Sequence, residues 1–151
     1  AMNPLAATLG ISNASFVAQT AEWTPMHMLA TLKAAYHHKG LSFVRILQRC
    51  PHFTPDLFRD EAKQPDLIQI LTHQNGIWAP GLEKLFKDQV THDPSDLDTA
   101  RMLAEDMNTV RLGLFFRDEA RPCYDDIRRT QKRTAREKMD LLNEEFERYA
   151  I

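Results

Sequence analysis

Residues 14–53 read ASFVAQTAEWTPMHMLATLKAAYHHKGLSFVRILQRCPHF, and the fold class follows from that stretch. A short apolar run (14–19) gives way to an amphipathic segment. A second apolar run (41–47) follows, rich in β-branched and aromatic residues and interrupted only by Ser42 and Arg45. Thr24-Pro25 marks a helix start, because a threonine hydroxyl can accept from an orphan amide and proline tolerates the first helical position. Met28, Leu29, Leu32, Ala35 and Tyr36 recur at helical spacing and predict one packing face. Gly40 is placed to close the helix as a left-handed C′ residue. A long crossover returns the chain to the same end of a sheet, so the two strands are expected to be parallel. Cys50 then stands at the carboxyl end of a parallel strand, where ligands gather in open α/β sheets. Two roles are open for it, chemistry and packing.

Outward from this unit the pattern is weaker. Residues 2–11 read as a loop or the tail of a small helix. After Cys50, Pro51 and Pro55 bracket a turn, and 56–63 predict a short helix stopped near Pro65. The apolar run within 66–72 fits helix or strand equally by periodicity. Asn75-Gly76 signals a turn, and 80–87 predict a short helix. Ser95 with Asp98 forms a capping box that opens a helix running to about Met107. Residues 110–116 (VRLGLFF) alternate and predict a half-buried strand at a sheet edge. From 124 to 149 the composition is helix-forming, polar nearly all round at first, with Met139, Leu142, Phe146 and Tyr149 supplying late apolar positions. The expected class is α/β: a three-layer parallel-sheet fragment built on the βαβ unit, with helical C-terminal additions and one later strand. One βαβ unit cannot cover both faces of its own sheet, so missing strands are expected from another chain or another part of the gene.

At 151 residues, 43% hydrophobic and 26% charged, the chain has the length and composition of one globular domain. A net charge of −2 argues against a general polyanion binder. No apolar stretch approaches the about 20 residues that cross a bilayer, and no basic, then apolar leader opens the sequence. Two cysteines without a CxxC make no disulfide framework, so a reducing, cytoplasmic setting is expected.

The run SFVAQT…TLKAAYHHKGLSFVRILQRCPHF, then THDPSDLDTARMLAED (91–106) and LGLFFRDEARPCYDD (112–126), form an ordered set. That set resembles the later part of the thiamine-diphosphate-binding β subunit of 2-oxoacid:ferredoxin oxidoreductases. Those subunits carry an "sFVAr" strand, a helix ending in "HKG", a strand ending in "spCptfn", and a terminal "lGifYr…rPtYe". The similarity spans about 3–126 and is densest in 13–54 and 110–124. It implies a C-terminal portion of the thiamine-diphosphate-binding domain over 1–126; beyond it, 127–151 read as a C-terminal helix, a subunit-docking or solvated extension. The implied reaction of the parent is CoA-dependent oxidative decarboxylation of a 2-oxoacid, with 2-oxoglutarate preferred. Implied partners are an α subunit, ferredoxin and a second copy of the chain, with no nucleic acid and no membrane.

The cofactors implied for the parent are thiamine diphosphate, Mg²⁺ and a [4Fe-4S] cluster. The family holds the diphosphate through Mg²⁺ on a Gly-Asp-Gly segment and a downstream Asn, and no such segment stands here. In cluster-bearing members the cysteine after the "HKG" strand is the fourth ligand, and Cys50 occupies that position. The other three ligands are missing, so the chain alone is expected to bind nothing and to be inactive. The alternative is a non-catalytic assembly module using the βαβ unit and the basic C-terminal helix.

Other candidates carry less. Free cysteine is often buried, which suits Cys50 as a packing thiol, and Cys123 reads as structural or incidental. His37 and His38 are adjacent and point to different helix faces; His27, His52, His73 and His92 show no ligand spacing. The basic run Arg128, Arg129, Lys132, Arg133, Arg136 and Lys138 suits a solvated face, a subunit contact or an acidic ferredoxin. It lacks the interleaved aromatics of nucleic-acid binders. Asp93, Asp96 and Asp98 miss EF-hand spacing and fit an acidic helix start.

Overall fold

In the computed structural model, residues 2–11, 13–128 and 133–149 are described. Elements follow in the order α1 (Pro4–Ile11), β1 (Phe16–Ala21), α2 (Pro25–His37), β2 (Ser42–Leu47), β3 (Ile68–Thr72), α3 (Leu82–Leu85), β4 (Asp88–Thr91), α4 (Leu97–Glu105), β5 (Val110–Arg117), α5 (Tyr124–Arg128) and α6 (Ala135–Tyr149). Among the described residues the strands form one five-stranded sheet in the order β2-β1-β5-β3-β4.

β1 and β2 are parallel, as the crossover demands, with Phe16 opposite Ser42 and Ala21 opposite Leu47. β5 runs antiparallel to β1 with a register shift at Val17/Ala18, and parallel to β3, which is parallel to β4. Two expectations are corrected here. The sheet is not left with one later strand, and 110–116 is its central strand, not an edge. Leu112, Gly113, Leu114, Phe115 and Phe116 are all buried, which only a strand covered on both faces allows. Within 110–116 the one charged side chain, Arg111, is absorbed by hydrogen bonds to Gln69 Oε1 and Asp106 Oδ2. Gly113 sits at φ 132°, and a Cβ there would meet Leu71 Cβ and carbonyl oxygen at 2.9 Å. A close backbone approach, not turn chemistry, requires glycine there.

Helices on both faces make three layers. On one face Leu5 and Leu9 of α1 and Ala100 and Ala104 of α4 pack with Val17, Leu71, Phe115 and Phe116. On the other, Ala30, Ala34 and Ala35 of α2 meet Phe16, Ala18, Leu114 and Val44. The packing face of α2 therefore differs from the expected one. His27 and Thr31 are its buried residues, whereas Leu29 is 49% and Tyr36 85% exposed. Small alanines let the helix approach the sheet closely, and the larger apolar side chains are turned outward.

Local signals fared unevenly. Thr24 is the N-cap of α2, yet its hydroxyl donates to the Ala21 carbonyl instead of capping an amide. The C-cap is His38, and Gly40 follows two residues later at φ 138°, where a Cβ would collide with Ser15 Oγ. Asp96, not Ser95, caps α4 by accepting from the amides of Asp98 and Thr99, and that helix stops at Glu105. Residues 56–63 form successive turns, not a helix, with Phe58 at φ 57°. The helix expected over 80–87 is confined to α3, and β4 lies at a polar sheet edge. No residue of α6 is buried, and Arg129 and Lys132 of the basic run lie outside the described residues.

Candidate functional site

Cys50 follows β2 at the carboxyl end of the parallel pair, where the strand–helix–strand unit places it. Loop ends at this edge are tied together: Glu22 N donates to the Leu47 carbonyl (2.9 Å), and Glu22 Oε1 accepts from Arg49 N (2.9 Å). The chain then folds back, with Thr54 N donating to the Cys50 carbonyl at 3.0 Å. Pro51 and the tight turn leave the amides of His52, Phe53 and Thr54 directed at the half-buried sulfur. The Phe53 and His52 amides, aided less by that of Thr54, hold the thiol pKa below its ordinary value; partial burial and the Glu22 carboxylate oppose them. The turn thus shifts the balance toward the thiolate, the form that ligates metals and clusters.

Both cysteines are free thiols. Cys123 lines a cavity with Ser15, Gly40 and Leu41, at the amino ends of β1 and β2. The two sulfurs therefore face opposite ends of the parallel pair and cannot share one centre. No group of three His, Cys, Asp or Glu side chains among the described residues is placed to hold a metal ion. Asp93 accepts from the amide and hydroxyl of Ser95, and with Asp96 it serves local turn and cap bonds.

Four of the six histidines, His27, His38, His73 and His92, are engaged within the fold, whereas His37 and His52 are exposed. His27 is buried under α2, with Nδ1 2.9 Å from Thr20 Oγ1 and its other ring nitrogen without a partner; burial pushes its pKa down to about 4. His38 Nε2 lies 2.8 Å from Ser15 Oγ, and since Ser15 is buried beneath Gly40 the pair acts as a strut. His73 and His92 are brought edge to face, with ring centroids 5.6 Å apart, one residue beyond the parallel strands β3 and β4. Burial and the neighbouring His92 lower the His73 pKa to about 4. Sequence spacing missed this contact. The signal available was the repeated apolar-Thr-His ending of 71–73 and 90–92.

No family model matches the chain. Over 160 aligned positions it is 29% identical to the 2-oxoglutarate oxidoreductase subunit KorB of Mycobacterium tuberculosis, an alignment covering 89% of this chain and 42% of that protein. The likeness is to part of a 2-oxoglutarate oxidoreductase subunit. A solved 2-oxoglutarate:ferredoxin oxidoreductase from Magnetococcus marinus, with 2-oxoglutarate, coenzyme A and succinyl-CoA bound, superposes with a TM-score of 0.60 at 27% identity. That superposition covers 93% of this chain and 44% of the other. The chain thus spans under half the length of the oxidoreductase chains it matches. The resemblance carried by 13–54 and 110–124 is borne out, and so is the layered α/β class. No helix among the described residues is long and apolar enough to cross a membrane.

Proposed function

We propose that this chain is the C-terminal part of a thiamine-diphosphate-binding β subunit. The whole enzyme would oxidatively decarboxylate 2-oxoglutarate with coenzyme A and pass the electrons to ferredoxin. Residues 1–126 would complete the cofactor domain, and 127–151 would form an extension that docks on a neighbouring subunit in a cytoplasmic assembly. The observation that carries this reading is the thiolate-favouring turn at Cys50, placed by a parallel βαβ unit in a chain similar to such subunits along about nine-tenths of its length.

The residues present do not fit thiamine diphosphate with Mg²⁺: there is no Gly-Asp-Gly, and no group of carboxylates among the described residues converges on a cation. This chain alone is therefore expected to be inactive, and no step is assigned to its residues through that cofactor. For an iron–sulfur cluster the fit is one ligand. Cys50 would supply a single thiolate, with three more coming from outside this chain, and its amide neighbours would tune the potential of the electron carrier.

The test is anaerobic purification of the tagged protein from its own cells, with assay for CoA-dependent reduction of a viologen dye by 2-oxoglutarate. Activity in a complex containing this chain supports the proposal; a lone, inactive polypeptide contradicts it. A non-catalytic assembly module is the second reading, favoured by the outward apolar side chains Leu29, Leu32 and Tyr36 on α2. Genomic sequence upstream of the region encoding Asn3 separates the two. A Gly-Asp-Gly segment and a CxxC there support the oxidoreductase, and their absence supports the module.

A further inference from the structure

A cavity of about 350 Å³ lies beneath the carboxyl ends of β1 and β2, on the sheet face covered by α1 and α4. Its walls include Gln19, Arg45, Leu47, Phe58, Leu103 and Phe115. We propose that it binds a small organic monocarboxylate with an apolar tail, with Arg45 as the partner of the carboxylate. This is independent of the oxidoreductase reading.

Two polar groups without partners point to a ligand. Gln19 and Arg45 are opposite each other in the parallel register, so their side chains rise from the same face. Gln19 is 5% exposed; its amide nitrogen donates to the Arg111 carbonyl at 2.7 Å, which leaves Oε1 buried with nothing to accept among the described residues. Arg45 is half-buried and makes no ion pair or side-chain hydrogen bond among the described residues. A guanidinium withdrawn from water without a counter-charge is costly, and its burial already lowers its pKa. A strand needing only packing would place an aliphatic residue there, as it does with Leu47 on the same face.

The surroundings set the ligand's charge. Arg111 and Asp106 also line the cavity, but their 2.7 Å ion pair cancels them. The first amides of α1, Leu5 N and Ala6 N, are already taken by Asn3 Oδ1. The carboxyl-terminal end of α4 at Leu103 and Ala104 borders the space and disfavours a second negative charge. One uncompensated cation therefore suits a monoanion, and a planar guanidinium suits a carboxylate bidentately. Leu47, Phe58, Leu103 and Phe115 would cover the tail, and a hydroxyl near the carboxylate would satisfy Gln19 Oε1. The volume sits at the low end of cavities that enclose small ligands.

The test is titration of the 151-residue chain with 2-hydroxyhexanoate, hexanoate, 1-hexanol and inorganic phosphate, followed by heteronuclear NMR and calorimetry. Hexanoate is expected to bind about tenfold tighter than hexanol, and the hydroxy acid tighter still. Shifts should centre on Leu47, Leu103 and Phe115. Arg45→Gln should weaken hexanoate by about tenfold while leaving hexanol unchanged, and Arg45→Lys should restore part of the loss. Equal binding of hexanoate and hexanol, tightest binding of phosphate, shifts confined to another region, or an unchanged hexanoate affinity in Arg45→Gln would each overturn the proposal. Should Arg45→Gln not fold, the ligand series on the unaltered chain decides.

Discussion

Lowering the pH from neutral should destabilise this domain well before its carboxylates titrate, and, together with His73, His27 is the reason. Its ring is buried between α2 and β1, bonded through Nδ1 to Thr20 Oγ1, with no acceptor for the other nitrogen among the described residues. Burial holds its pKa at about 4 against an ordinary 6.5. Because the folded-state pKa is depressed, the unfolded chain binds the proton first as pH falls through about 6.5, and the native state follows only near 4. Stability should therefore be constant above neutrality and decline between those two values. The full difference is worth about 3 kcal/mol, most of it lost by about pH 4.5. In urea unfolding followed by circular dichroism, that loss moves the midpoint by about 1–2 M. The control is His27→Gln, which keeps a polar group for Thr20 but cannot titrate. It should be less stable at neutral pH, and its midpoint should fall less over the same interval, the remaining fall coming from His73, which burial also holds at about 4. Parallel decline of the two proteins down to about pH 4.5 would refute the reasoning, because the loss would then arise elsewhere.

Other outcomes follow from single features. Gly113→Ala should cost about 2–4 kcal/mol, read by chemical denaturation, since the new Cβ meets Leu71 at 2.9 Å and φ is 132°; a wild-type midpoint would contradict the close strand approach. Asp96→Ala should remove about 1 kcal/mol by uncapping α4, with Asp96→Asn retaining most of it; equal loss in both variants would mean that the cap bonds are not the cause. Alkylation with iodoacetamide should modify Cys50 with a midpoint below that of an ordinary thiol, because its neighbouring amides favour the thiolate. Peptide mapping across pH checks this, and an ordinary thiol midpoint at Cys50 would count against the turn.

The βαβ unit was legible because both of its strands are strongly apolar and a proline start and a glycine stop frame the helix between them. The same pattern puts Cys50 at the ligand end of the sheet. The rest of the sheet was obscured by compensation between distant residues. Residues 110–116 read as half-polar because of Arg111, whose charge is absorbed by Gln69 and Asp106. β4, with the sequence DQVT, has an edge strand's polar composition and no periodic signal. In α2 two apolar stripes competed, and the alanine stripe won because it lets the helix approach the sheet. The contact of His73 with His92 and the pairing of Gln19 with Arg45 both depend on strand neighbours and register, which no local pattern encodes.

The proposed role of Cys50 as a ligand of an electron-carrying cluster in a larger oxidoreductase is open to electron paramagnetic resonance. Spectra would be recorded on the dithionite-reduced complex purified anaerobically from the protein's own cells, alongside the same complex carrying Cys50→Ser. The predicted result is a reduced iron–sulfur signal in the unaltered complex that is lost or shifted in the variant while the subunits still assemble. An identical signal and iron content in both would contradict the assignment of Cys50.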